Sequence, residues 1–170
     1  MKYAFFGSPE FAKIVLEELI TGGFPPALVV CNPDKPMGRK KIITPPPTKV
    51  LAKENEISVA QPENKESIIN YLSRGFDFFV VAAYSKILPK NVIELPRLGV
   101  IGVHPSLLPK YRGATPIQSA ILAGETETGT SLFMIDEKVD NGPILAQQSL
   151  QLTKPTPGVG SPTDSVGAND

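Results

Sequence analysis

Short apolar runs alternate along this chain with segments in which apolar residues recur at helical spacing. Residues 2–6 (KYAFF) read as a short buried strand. Gly7-Ser8-Pro9-Glu10 follows, with Ser8 placed to cap a helix, Pro9 to fill its first position and Glu10 to favour its positive end. Phe11, Ile14, Val15, Leu16 and Leu19 then recur at helical spacing until Thr21-Gly22-Gly23 stops them. Residues 27–31 are a second apolar strand. Strand, tight turn, helix, strand is a βαβ unit, which requires parallel strands.

The same alternation continues. Residues 32–47 read as loop. A short helix is predicted over 48–55, a strand over 57–60 and a helix over 63–72. Residues 78–83 form a strand apolar on both faces, as a central parallel strand should be. A short helix or turn region covers 89–95. A strand over 99–103 ends at His104, a helix covers 116–123, and strands cover 129–135 and 144–150. The expected fold is α/β, with a doubly wound, mostly parallel sheet of Rossmann-like type. In such sheets ligands sit outside the carboxyl ends of the strands, beside the point where strand order reverses. The loops at 7–11, at 84–88 and at His104 should therefore share one crevice.

Composition sharpens this picture by exclusion. The longest apolar stretch, residues 78–84, is far short of the ~20 residues that span a bilayer. One cysteine, Cys31, excludes an internal disulfide and a cysteine-based zinc site, and one histidine, His104, excludes a His-rich metal site. No metal and no membrane partner are expected. A free cysteine with no leader segment points to the cytoplasm. Gly7-Ser8-Pro9 is not a dinucleotide fingerprint, and no acidic residue stands in the usual place after the second strand, so a nicotinamide cofactor is not expected. The chain has 18 prolines among 170 residues, roughly twice the usual ~5%, which implies many loops.

Charge looks neutral until it is mapped. The 17 basic and 17 acidic residues cancel, yet residues 35–53 hold Lys35, Arg39, Lys40, Lys41, Lys49 and Lys53 and no acid. That leaves 11 bases against 17 acids elsewhere. Six positive charges in one Pro- and Gly-containing stretch suit a nucleic-acid backbone, through counterion release, or else a plain solvated loop.

Two segments carry the candidate chemistry. One is residues 102–113, Gly-Val-His-Pro-Ser-Leu-Leu-Pro-Lys-Tyr-Arg-Gly, with His104 at a central strand's exit. The other is residues 134–143, which put Asp140 on a Gly-bounded turn. A His with a carboxylate partner can hold its proton, orient its ring and shuttle charge. On the residues alone, a structural histidine and a solvated turn-former remain open readings.

HPSLLPKYRG (104–113) and VDNGPIL (139–145) resemble the signatures of the formyltransferases that use 10-formyltetrahydrofolate. FFGSPEFA (5–12) and PDKPMGRKKIITPPPTKVLA (33–52) resemble the methionyl-tRNA branch, and the match runs from Tyr3 to about Gln151. The resemblance implies a formyltransferase domain over 1–151 with a basic insert at 32–49, cut before its last helix. The Pro- and Gly-rich stretch 152–170 reads from its composition as a disordered tail or else as a chain cut before its next helix, and the resemblance implies the absence of a C-terminal barrel domain. A monomer is the expected state.

It also implies a mechanism, in which the amine of initiator methionyl-tRNA attacks the formyl carbon. A tetrahedral oxyanion forms and collapses, expelling tetrahydrofolate. His104 and Asp140 match two of the three catalytic residues. The third, an Asn two residues before the His, is Gly102 here, so one oxyanion donor is missing, worth on the order of 10²–10³ in rate. Folate contacts are implied for Tyr84, Ser85, Lys86, Ile87 and Leu88, and for Ile135, Asp136, Glu137, Lys138 and Val139. Contacts to tRNA or its methionine are implied for Phe11, Lys35, Arg39, Lys40, Lys41, Ser106, Leu107, Leu108, Pro109 and Arg112. The competing functions are a non-catalytic folate- or tRNA-binding remnant and a sugar-nucleotide formyltransferase.

Overall fold

Strand β1 (Tyr3–Phe6) is buried along its whole length. Its alternation sends Ala4 and Phe6 into one apolar layer and Tyr3 and Phe5 into another. The computed structural model describes residues 1–72 and 75–152. Helix α1 (Glu10–Thr21) and helix α2 (Pro47–Glu54) cover one face of the sheet, where Ala12, Leu16, Leu51 and Ala52 pack with Tyr3 and Phe5. Helices α3 (Lys65–Leu72) and α4 (Lys90–Ile93) cover the other, where Ile68, Leu72 and Val92 pack with Phe6.

The remaining strands are β2 (Leu28–Val30), β3 (Lys35–Met37), β4 (Ile42–Thr44), β5 (Val59–Ala60), β6 (Phe78–Ala82), β7 (Val100–His104), β8 (Glu127–Met134) and β9 (Ile144–Gln151). Helix α5 (Pro116–Leu122) lies between β7 and β8. The main sheet runs β5-β2-β1-β6-β7-β8-β9. Its first five strands are parallel, and β8 and β9 are antiparallel. The chain moves outward from β1 through β2 to β5, then returns to place β6 on β1's other side. The strand order therefore reverses between β1 and β6, as a doubly wound sheet requires.

Two local expectations fail for identifiable reasons. Residues 32–47 are not all loop, because β3 and β4 pair as an antiparallel hairpin, Lys35↔Thr44 through Met37↔Ile42. Its side chains are almost all exposed, so no buried apolar face announced it. Ser8 does not cap α1, and Pro9 is the residue before the helix rather than its first. The Ser8 hydroxyl instead accepts from the Asn32 backbone N–H at 2.9 Å. The tail expected over 152–170 lies, from residue 153 on, outside the described residues.

The first turn is fixed by close approach. A Cβ on Gly7 would stand 2.6 Å from both Ala12 Cβ and the Ala82 carbonyl oxygen, which leaves room only for glycine. Thr48, fully buried at the start of α2, donates its hydroxyl to the Gly7 carbonyl at 2.9 Å. Thr48→Val keeps the shape and removes the donor, stranding that carbonyl. A loss of about 1–3 kcal/mol in urea unfolding is expected. An unchanged midpoint and slope would show that the bond contributes nothing.

Candidate functional site

The crevice opens where the strand order predicts, at the carboxyl ends of β6 and β7. A cavity of about 400 Å³ is lined there by Val81, Ala83, Tyr84, Gly102, His104 and Asp140, among others. A second, of about 190 Å³, shares Tyr84, Ser85, Ile87, Ile135, Val139 and Asp140 with it and adds Lys86, Leu88 and residues 136–138. The combined space suits a drug-sized ligand. The turn after β1 does not line either cavity. It is tied to the site indirectly, since Ser8 holds Asn32 and the Asn32 amide donates to the Ser85 hydroxyl at 2.9 Å.

His104 is buried and held at both ring nitrogens. Nε2 lies 2.8 Å from the Tyr111 carbonyl, which can only accept, so Nε2 carries a proton. Nδ1 faces Asp140 Oδ2 at 3.5 Å. The same Oδ2 accepts from the Gly113 N–H at 2.8 Å, and Arg112 Nε donates to the Asp140 carbonyl at 2.8 Å. The 104–113 segment thus wraps both the ring and its carboxylate. Ala83, Tyr111 and Asp140 all have positive φ, 46°, 55° and 48°. Three non-glycine residues in that region around one crevice is a concentration of backbone strain typical of functional sites.

The rest of the segment supports itself. Ser131, fully buried on β8, donates to the Ser106 carbonyl at 2.6 Å and accepts from the Leu108 N–H at 3.0 Å. The Ser106 hydroxyl donates to the Lys110 carbonyl at 2.6 Å. Ser106 and Leu108 are therefore buried with their polar atoms spent on the loop, while Pro109 and Arg112 are exposed and Leu107 is half-buried against Gly129. Tyr111 donates its phenol to Glu125 at 2.6 Å, which holds that phenol above and the Glu125 carboxyl below their ordinary values.

The expected folate residues divide by position. Ile87 and Val139 are 77% and 62% exposed on the crevice wall, although both are apolar. Leu88 is buried in the core layer with Phe6 and Val92, at the rim of the smaller cavity. Tyr84 packs edge-on to Phe6, and its hydroxyl is buried with no partner among the described residues. Burial pushes that phenol up to about 12. Lys86 donates to the Pro62 carbonyl at 2.6 Å, and Glu137 pairs with Lys90 at 2.6 Å, so neither end charge is free. Asp136 accepts from the Lys138 N–H, and both side chains are exposed. Ile135 is half-buried and lines both cavities.

Phe11 packs half-buried beside the core layer of Phe5 and Leu16, away from both cavities. Lys35, Arg39, Lys40 and Lys41 are exposed on the β3–β4 hairpin together with Met37, Ile42 and Ile43. Lys49 is different. Its ammonium sits 2.7 Å from Asp34 and 2.8 Å from Gln61 at the hairpin's base. Asp34, just outside the counted stretch, neutralises that charge, so the patch is weaker than the sequence suggested. Cys31 is fully buried and its thiol is pushed up to about 11 by burial, which removes it as a nucleophile.

The Asp34 contacts set an acid limb of stability. Hydrogen bonds from Lys49 and Gln61 hold its carboxyl below the ordinary value of 3.8. The unfolded chain then binds the proton more readily, so this contribution is complete above about pH 4 and is lost as pH falls through the folded value. Asp34→Asn should flatten the fall in melting temperature below pH 4 and leave it unchanged in shape above pH 5. An identical acid limb in both proteins would refute the assignment.

Sequence reasoning did not reach Phe133, which lines both cavities, or the Tyr111 carbonyl that holds the ring. The pairing of Phe133 with Gly102 depends on the β7–β8 register, which no local pattern reveals. Gly113, whose φ is 101°, is the residue in the sequence that marks where the 111–113 backbone turns back on the site. Among the described residues, no group of three or more His, Cys, Asp or Glu could hold a metal, and no helix is long and apolar enough to cross a membrane.

Comparison with known proteins bears on the fold and the family. Solved structures share the fold: phosphoribosylglycinamide formyltransferase from Bacillus halodurans (TM-score 0.72, 23% identity, 92% of this chain and 82% of that one) and glycinamide ribonucleotide transformylase 1 from Geobacillus kaustophilus (TM-score 0.73, 22% identity, 92% and 85%). In sequence, the chain is 45% identical over 155 residues to the methionyl-tRNA formyltransferase of Halalkalibacterium halodurans, covering 89% of this chain and 49% of that one. It is 44% identical over 169 residues to that of Chloroflexus aurantiacus, covering 98% and 54%. The chain spans about half the length of the curated relatives it matches. The family profile described as formyl transferase covers residues 1–160, and it includes the whole crevice and both segments that meet at His104 and Asp140, so the chain belongs to the formyl transferase family.

Proposed function

We propose that this chain transfers a formyl group from 10-formyltetrahydrofolate to the amino group of methionyl-tRNA, at a rate lowered by the lack of a side-chain donor at Gly102. The observation that carries the reading is the His104–Asp140 pair, buried at the wall of a crevice at the carboxyl ends of β6 and β7. The folate would supply the formyl carbon. A flat heterocycle with donors and acceptors along one edge fits backbone groups at residues 83–88 and the exposed apolar faces of Ile87 and Val139.

The chain's own residues then do three things. Asp140 fixes the His104 ring and places a carboxylate opposite Nδ1. His104 carries a proton at Nε2, which must leave the Tyr111 carbonyl before it can reach a substrate oxygen. The basic hairpin gives the nucleic-acid partner a charged docking point, with Lys35, Arg39, Lys40 and Lys41 exposed. Neutralising about four phosphates corresponds to a slope near −3 in log affinity against log salt.

The test is formyl transfer by the full chain from 10-formyltetrahydrofolate to methionyl-tRNA, with tRNA binding measured from about 50 to 200 mM salt. Slow, saturable transfer with a slope near −3 supports the reading. Folate and tRNA binding without any transfer supports the non-catalytic alternative, which Gly102 favours. Binding of neither overturns both. A nucleotide-sugar that competes better than methionyl-tRNA redirects the assignment to that substrate class.

A further inference from the structure

We infer that Gly102 and Phe133 together set the specificity of the crevice: they make the wall beside His104 apolar, so the site holds a reduced folate without recognising its formyl oxygen. This rests on the folate reading of the crevice. Register carries the first step. Val81, Gly102 and Phe133 stand side by side across β6, β7 and β8. In-register neighbours share a face, and Gly102 and His104, two residues apart on β7, share it too. All four line the larger cavity.

Space carries the second. Phe133 is 3% exposed. A Cβ built on Gly102 would fall on Cε1 and Cζ of the Phe133 ring. The ring therefore occupies the volume that any side chain at position 102 would need. The glycine is not an empty place in the wall: it is the partner that lets a phenyl ring lie there.

Donor supply carries the third. The row Val81–Gly102–Phe133 offers no side-chain hydrogen-bond donor. Ser131, opposite His104 in the next row, already donates to the Ser106 carbonyl. His104 Nε2 is engaged by the Tyr111 carbonyl. A carbonyl oxygen entering beside His104 meets a ring edge and no side-chain donor in that row, and the unpartnered Tyr84 hydroxyl is covered from the cavity, whereas the unformylated ligand gives up nothing there.

Two stable probes test this on the full chain: 10-formyl-5,8-dideazafolate and unformylated 5,8-dideazafolate. The native chain should bind them within about threefold of each other. Gly102→Asn alone should lower the melting temperature by several degrees, because the amide and the ring compete for one volume. Gly102→Asn with Phe133→Ala should recover part of that loss and favour the formylated probe about tenfold, the effect of one added hydrogen bond. If Gly102→Asn does not fold, Phe133→Ala in the native background still decides, since it opens the wall without adding a donor and must leave the probe ratio near one. A native preference of tenfold or more for the formylated probe overturns the inference, as does a Gly102→Asn chain with native melting temperature and the double variant's ratio. Binding of neither probe overturns the folate reading itself, an outcome distinct from the others because there the probes bind.

Discussion

On the proposed function, Asp140→Asn should cut formyl transfer by about 10²–10⁴-fold with little change in folate affinity or melting temperature. The substitution is nearly isosteric, and the geometry says what it keeps. An amide oxygen can still accept from the Gly113 N–H, now 2.8 Å from Oδ2, and the Asp140 carbonyl that receives Arg112 is backbone. The turn at residue 140 has a φ of 48°, a conformation that asparagine adopts as readily as aspartate. What disappears is the negative charge 3.5 Å from His104 Nδ1. A ring that takes up or passes on a proton at one nitrogen needs that charge at the other. The measurement is kcat and KM for the folate donor with a thermal melt of each protein. A fall in kcat alone supports the role. If KM rises while kcat holds, Asp140 shapes the crevice and no more. A variant as fast as the parent would remove the His–Asp pair from the chemistry.

Much of the fold was legible because its central strands are buried on both faces. β1, β2, β6 and β7 lie within a residue or two of the apolar runs that predicted them, since a doubly covered strand needs nothing else. The β3–β4 hairpin was illegible for the opposite reason. Its residues face solvent and its proline density reads as loop, yet Pro36 sits in a two-stranded ribbon where a missing N–H matters little. The Ser8 expectation failed because a hydroxyl beside a helix start has two possible partners. The chain returning after β2 brought Asn32 to it, a tertiary contact with no local trace.

The site divides the same way. His104 was singled out by its place at a strand exit and Asp140 by its Gly-bounded turn, with the motif resemblance adding their roles, and the antiparallel β7–β8 pair with the turn beyond it brings them together across 36 positions. Side-chain chemistry at a strand exit leaves a readable mark. The Tyr111 carbonyl and the Gly113 N–H leave none, because every residue has a carbonyl and nearly every residue an N–H. Charge counting overstated the basic patch for a related reason. Asp34 lies one residue outside the counted stretch in sequence and pairs with Lys49 across 15 residues.

Gly142→Ala is expected to be the most damaging single-methyl change near the crevice. A Cβ there would collide with the Met134 carbonyl oxygen and lie 3.0 Å from its carbon. Backbone cannot rotate away as a side-chain end can. Met134 is pinned by its own N–H to the Pro143 carbonyl at 2.8 Å, and Ile135 by its N–H to the Val100 carbonyl at 2.8 Å. The relief available is a shift of the 139–143 turn away from β8. That turn carries Asp140, so the shift lengthens the 3.5 Å approach to His104 and loosens the Gly113 bond together with it. Overpacking of this kind costs about 3 kcal/mol, which for a chain of this size is about 6–12 °C in melting temperature. Activity should fall with stability, in contrast to Asp140→Asn, where it falls alone. Gly124→Ala is the control for lost glycine freedom. Its φ of 67° strains any L-residue, but a Cβ there meets nothing within 4 Å. If the two alanine variants melt together and transfer formyl equally well, conformational freedom and not close packing explains Gly142, and the turn has room that its contacts deny.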